Sequence, residues 1–324
     1  MILNLFLILI IIFFTLSLNS KFLAKLNLID YPTGIKIHKK PVPLVGGIML
    51  ALVGLVIIFN DNTILNQYEI GFIILVCIFG IIDDAQNINA NKKFLILILA
   101  FLIFIYLNDN LKIKLIYFQT LGVIYFPDNL FLQIFLSTIC FVLLINAYNM
   151  CDGINGLACI IFIIWSTYLS MTQENIATSL LPFAFLILIF LIFNLKGDYF
   201  LGDGGNYFLS TLIGMIIVKE TQYSKQQIYA EEIFLLFMLP GIDMLRLFFH
   251  RIYNKKNPFI GDNNHLHHIL IKKYNNLNVA LLIYSALIIT PLLIYNLTSI
   301  NPLVLIITAF LLYFYLIKKV FIKT

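Results

Sequence analysis

The sequence predicts an all-α, polytopic membrane protein with about 10–11 transmembrane helices, and two observations carry that prediction. Hydrophobic residues make up 61% of the 324-residue chain and charged residues only 11%, against about 25% charged in a soluble domain. The apolar residues are also contiguous. Ile, Leu and 30 Phe recur in runs that approach the roughly 20 residues a helix needs to cross a bilayer. No soluble domain, long linker or repeat interrupts them, so residues 1–324 read as a single integral membrane domain.

About eleven apolar segments are expected as helices. The first, near 2–18, imitates a secretory signal, but it lacks a charged amino-terminal region and a small-residue cleavage site. It therefore reads as a retained helix. Segments near 43–60, 69–83 and 94–107 follow. Segment 111–126, LKIKLIYFQTLGVIYF, alternates polar and apolar residues and is expected as a small extracytoplasmic hairpin rather than a span. Further helices are expected near 129–147, 153–171, 177–194, 206–218, 232–250, 278–296 and 301–317. Cys77, Cys140, Cys151 and Cys159 lie in or at the end of apolar runs without CxxC spacing, and read as small core residues.

Charge sets the orientation. Eleven spans put residues 19–42, 83–93, 146–153, 195–205, 250–277 and the carboxyl-terminal tail on one side. With Arg246, that side holds 17 of the 21 Lys and Arg; only Lys112, Lys114, Lys219 and Lys225 lie opposite. The positive-inside rule assigns the crowded side to the cytoplasm. The amino terminus is then outside and the carboxyl terminus cytoplasmic, as in an inner-membrane protein. All five Glu (69, 174, 220, 231, 232) fall on the outer side, expected there as ordinary solvated loops. All five His and eight of the eleven Asp fall inside.

Five inner stretches carry short polar groups: HKKPVPLVGG (38–47), GIIDDAQN (80–87), NAYNMCDGINGLA (146–158), FNLKGDYFLGDGGNYFLS (193–210) and NNHLHHIL (263–270), with Asp243 beside them. Each has an ordinary alternative. Asp83-Asp84 could be a solvated helix end, although the helix dipole disfavours acid there. Asn146, Asn149 and Asp152 share one helical face and could be an interhelical network. Gly202–Gly205 could be a turn, the histidines a patch against anionic lipid, and Lys39 and Lys40 simple positive-inside residues. Together they point elsewhere. Asp83, Asp84, Asp152, Asp203 and Asp243 at one depth would repel one another unless metal or basic side chains compensate them. Oxygen ligands without cysteine favour a hard ion such as Mg²⁺, with Mn²⁺ as a substitute. Glycines beside Asp203 leave it unobstructed and let an anion approach backbone N–H groups.

In these motifs, in this order over roughly residues 25–275, the chain resembles the polyprenyl-phosphate N-acetylhexosamine-1-phosphate transferases, glycosyltransferase family 4. The HLHH form resembles the GlcNAc-1-phosphate branch more than the related phospho-MurNAc-pentapeptide transferase. Asn206 stands where the family often has Ser, Asn155 where it often has a second Asp, and Asn263-Asn264 where the GlcNAc branch tends to have Arg. The resemblance implies a Mg²⁺-dependent enzyme that moves a hexosamine 1-phosphate from a UDP-N-acetyl sugar to polyprenyl (undecaprenyl) phosphate, the first membrane step of cell-envelope glycan synthesis such as O-antigen lipopolysaccharide. It implies Asp203 as principal metal ligand, with Asp152 and Asp83 contributing, and Asp83, Asp84 and Asp203 as catalytic carboxylates, the Asp83–Asp84 pair positioning metal or lipid phosphate or, alternatively, supplying a base. Asn146, Asn149, Asp152, Asn155 and Asn206 would face the nucleotide-sugar. Lys40, His265, His267 and His268 would face diphosphate oxygens, with Arg246 a lesser candidate, and His38 stands in the first-loop motif. Family members are often dimers, so a homodimer is expected, and no nucleic-acid partner is. The alternatives from other classes are a transporter with intramembrane carboxylates, expected to carry charge at mid-bilayer depth, and a lipid phosphatase.

Overall fold

The computed structural model describes residues 2–32, 38, 40–58, 64–126, 129–223, 227–258 and 262–321. Each expected apolar segment is a helix. In chain order the helices are α1 (Ile2–Leu16), α2 (Ser20–Lys25), α3 (Gly46–Ile57), α4 (Gln67–Gln86), α5 (Ala90–Leu107), α6 (Leu130–Cys151), α7 (Leu157–Thr172), α8 (Glu174–Lys196), α9 (Gly202–Tyr223), α10 (Ala230–Tyr253), α11 (Leu266–Tyr274), α12 (Leu277–Leu297) and α13 (Pro302–Phe321). Among the described residues, six of them, α5, α6, α8, α10, α12 and α13, are long and apolar enough to cross a membrane, against the 10–11 spans expected; α1, α3 and α7 are apolar but shorter. This is a mostly helical, multi-pass membrane protein.

α9 is the centre of the bundle. It packs against α3, α4 and α6, and 17 of its 22 residues are buried, so its polar residues face protein rather than lipid. The approach is close because glycines meet. A Cβ on Gly80 of α4 would stand 2.6 Å from the Gly204 Cα of α9, and one on Gly47 of α3 would stand 3.0 Å from the same atom. Three helices thus converge at the start of α9, where Asp203 lies.

Two short antiparallel pairings complete the fold. β1 (Ile29–Asp30) pairs with β2 (Val42–Pro43). The Phe200 N–H then donates to the Pro43 carbonyl at 2.9 Å, and the Val45 and Gly46 N–H groups donate to the Phe200 carbonyl at 3.3 and 3.2 Å. The first loop is thereby stitched to the segment that leads into α9. β3 (Leu115–Phe118) and β4 (Gly122–Tyr125) form the expected hairpin, which turns with Gly122 at φ +80°. The Gln119 and Thr120 N–H groups at its tip donate to Glu231 of α10 at 3.0 and 3.1 Å.

That end of the molecule corrects one expectation. Glu69, Glu220, Glu231 and Glu232 are buried, not carried on an ordinary solvated surface. Glu69 accepts hydrogen bonds from Lys219 Nζ at 2.7 Å, Asn108 Nδ2 at 3.2 Å and the Asn66 N–H at 2.8 Å. A carboxylate removed from water needs such partners, and these fasten α4, α5 and α9 together. Cys77, Cys151 and Cys159 are buried, Cys140 is exposed, and all four are free.

Candidate active site

At the opposite end, the carboxyl termini of α4, α6 and α8 meet the amino termini of α5, α7 and α9. A cavity of about 430 Å³ opens there, with Asp83, Asp84, Lys93, Asp152, Asn155, Asn194, Asp203 and His268 in its wall. The cavity is where the alternating helices present their polar ends together.

Asp83 is buried at the end of α4. Its Oδ1 accepts the Ile88 N–H at 2.9 Å, and its Oδ2 accepts Lys93 Nζ at 2.8 Å and the Tyr207 hydroxyl at 3.4 Å. Lys93 Nζ also donates to Asp203 Oδ2 at 3.1 Å. One ammonium therefore joins two carboxylates from α4 and α9. Local structure brings it there. Asn87 ends α4 in the left-handed region, φ 51°, and Asn89 caps α5 by accepting the Asn91 N–H, so Lys93 returns from the first turn of α5 onto Asp83. Sequence reasoning counted Lys93 only as positive charge. The available signal was its place one helical turn into the next helix after the aspartate pair.

Asp84 points differently. Its Oδ1 accepts the Asp203 N–H at 2.9 Å and its Oδ2 the Gly204 N–H at 3.1 Å.

Between α6 and α9 lies a second polar group. Asn206 is buried, and its Nδ2 donates to Asn149 Oδ1 and Asp152 Oδ2, both at 2.9 Å. Burial pushes the Asp152 carboxyl up to about 6, against the lowering effect of Asn206. The loop after Asp152 is held by Asn194, whose Oδ1 accepts the Gly156 N–H at 2.6 Å; Gly156 has φ +85°. Asn155 faces the cavity. Asn146 instead donates to the Val142 carbonyl of its own helix at 2.7 Å.

The histidines divide. His268 lines the cavity. His267 is buried, with neither ring nitrogen hydrogen-bonded. A Cβ on Gly153 would lie 2.3 Å from His267 Nε2 and 2.8 Å from His268 Nε2, so a larger residue in the loop would have to displace both imidazoles. Burial lowers His268 to about 4 and His267 well below the usual imidazole range. His265 Nδ1 lies 2.8 Å from Asp243 Oδ2. Asp243 also accepts from Arg246 Nη2 at 2.9 Å and the Tyr313 hydroxyl at 2.6 Å. Asp243 is thus compensated within its own network, apart from the cavity wall formed by the other four aspartates. On the first loop, His38 Nε2 stands 3.1 Å from Asp30 Oδ2, and both residues line the cavity. Lys40 is exposed and Lys39 lies outside the described residues.

The donor set suits a hard divalent cation. Asp83 and Asp203 already share a single positive charge on Lys93, and Asp152 opens onto the same cavity. Among the described residues no group of three or more His, Cys, Asp or Glu side chains is placed to hold a metal ion by itself. Two carboxylates beside open space match Mg²⁺, which retains water and completes its shell with substrate phosphates.

Comparison with known proteins agrees with this chemistry. The profile of Glycosyl transferase family 4 matches residues 67–221, the stretch that contains Asp83, Asp84, Lys93, Asp152 and Asp203. The chain is 27% identical over 274 residues to the undecaprenyl-phosphate alpha-N-acetylglucosaminyl 1-phosphate transferase of Salmonella typhi, covering 79% of this chain and 72% of that protein. It is 27% identical over 278 residues to the Thermotoga maritima protein of that name, covering 85% and 84%. To the protein of that name in Escherichia coli O157:H7 it is 26% identical over 326 residues, covering 92% and 86%. Fold, site and likeness define a membrane-embedded phosphotransferase. Over residues 67–221 the chain is similar to glycosyl transferase family 4, and the relatives it matches are named as glycosyl-1-phosphate transferases.

Proposed function

We propose that the protein transfers an N-acetylhexosamine 1-phosphate, with N-acetylglucosamine the favoured sugar, from a UDP-sugar to undecaprenyl phosphate, giving undecaprenyl-diphospho-sugar and UMP. The observation that carries this reading is the Asp83–Lys93–Asp203 bridge in a polar cavity at the end of apolar helices. The names of the relatives support the choice of lipid and sugar. The basic excess on the cavity's side supports a cytoplasmic site, where nucleotide-sugars are found. The reaction would open cell-envelope glycan assembly.

In the reaction, an oxygen of the lipid phosphate bonds to the sugar-bearing phosphorus. The bond from that phosphorus to the bridging oxygen breaks, and its electron pair leaves with UMP. Asp203 and Asp83 would hold Mg²⁺, with Asp152 within the same cavity, and the ion, when bound, would draw charge from the diphosphate oxygens. Lys93 contributes a fixed positive charge beside them. Asn155 and His268 face the cavity as partners for the nucleotide-sugar. The Asn149–Asp152–Asn206 network holds the loop that presents Asn155. A phosphate monoester has its second pKa at about 6, so the attacking group is already ionised and positioning outweighs proton removal.

The test incubates purified protein with undecaprenyl phosphate, Mg²⁺ and a panel of UDP-sugars. UMP release that requires both the lipid and one sugar supports the reading. UMP release without lipid, or release of inorganic phosphate from the lipid, overturns it.

A further inference from the structure

We infer that Asp84 is a positioning residue: from the end of α4 it caps the amino terminus of α9 and so fixes the direction of Asp203, without itself binding metal or taking a proton. Its catalytic consequence rests on the proposed reaction; the capping contact is tested independently of it.

α9 is buried, so its first-turn amides require acceptors. The residues leading into it, Phe200-Leu201-Gly202, offer no side-chain acceptor. Asp84 supplies what they lack, one oxygen to each of the Asp203 and Gly204 N–H groups at 2.9 and 3.1 Å. Position 202 is shaped to that carboxylate. Gly202 has φ +73°, and a Cβ there would lie 2.6 Å from Asp84 Oδ2. An acid at the carboxyl end of α4 sits unfavourably on its own helix dipole, and directing it at the amino end of α9 gives it two N–H donors that its own helix end lacks.

The adjacent aspartates therefore have different tasks. Asp83 Oδ2 faces Lys93 and the cavity, whereas both Asp84 oxygens are engaged by backbone. One of the amides Asp84 holds belongs to Asp203 itself. Loosening it frees the residue that meets Lys93. The same arrangement recurs at α11, where the Leu266 N–H donates to Asp243 of α10 at 3.1 Å.

The experiment is hydrogen exchange on the purified full-length protein, following peptides that cover 199–208, together with direct binding of Mn²⁺ followed by electron paramagnetic resonance. In Asp84→Ala, exchange at the start of α9 rises about a hundredfold, and Mn²⁺ binds about tenfold more weakly. Asp84→Asn, which retains one acceptor oxygen, binds Mn²⁺ within about threefold of the native affinity. Asp203→Asn abolishes Mn²⁺ binding, and Lys92→Gln changes neither readout. Unchanged exchange at the start of α9 in Asp84→Ala overturns the inference. So does loss of Mn²⁺ in Asp84→Asn as complete as in Asp203→Asn, because Asp84 would then be a ligand. Neither readout uses sugar or lipid, so failure of the transfer assay is distinguishable from failure here.

Discussion

At the scale of single residues, Lys93 is the side chain on which the site's electrostatics turn. It stands between two buried or half-buried carboxylates that would otherwise repel each other, and like charges in contact cost about 4 kcal/mol at an effective dielectric near 20. Lys93→Met is expected to lower turnover by about a hundredfold. Lys92→Gln, its exposed neighbour, should remain near native; an equal loss in both would detach Lys93 from the site. His268 makes a second prediction. Burial lowers it to about 4, while an unfolded histidine titrates near 6.5. The unfolded chain therefore takes up the proton first. The stability this residue contributes is complete above about pH 6.5 and is lost as pH falls toward 4. Melting temperatures between pH 7 and 4.5 should fall less steeply in His268→Gln than in the native protein.

The element that organises the site is the start of α9, and its determinants were only half visible in the sequence. Glycines on both sides of Asp203 announce a close approach, but not to what. The structure supplies the partners: Gly80 and Gly47 on neighbouring helices, and a carboxylate in place of a local cap. Gly80→Ala would drive a methyl group into the Gly204 backbone, separating α4 from α9. A destabilisation of about 1–3 kcal/mol is expected from overpacking, along with weakened Mg²⁺ activation. A variant with native melting temperature and native Mg²⁺ response would contradict this packing. The helices themselves were legible because each apolar run is continuous, as was the hairpin at 111–126 because its residues alternate. The stitching of Pro43 and Leu44 to Phe200 was not, since a backbone pairing between residues more than 150 positions apart leaves no periodic trace. The removal of Asp243 from the cavity wall was hidden for a related reason: beyond Arg246 on its own helix, its partners His265 and Tyr313 come from distant parts of the chain.

Across the whole molecule, the two ends carry opposite designs. At one end, acidic side chains are paired off and buried, as in Glu69–Lys219. At the other, acids open onto a cavity with room for a ligand. Lys219→Met should therefore lower stability by about 3–5 kcal/mol, the penalty of leaving Glu69 buried without its partner, while half-activation by Mg²⁺ stays unchanged in the surviving folded fraction. A shift in Mg²⁺ response would mean the two ends are coupled. The asymmetry of residue types was readable from the sequence, since short acids, amides and histidines gather on one side. That the glutamates at the end away from the cavity are structural required seeing their partners. The assignment of Asp203 to the centre of the site is tested most directly by following formation of the lipid-linked sugar diphosphate by Asp203→Asn beside the native protein. It predicts product loss of about a thousandfold or more with the native melting temperature retained; a folded Asp203→Asn protein that forms product at the native rate would contradict it.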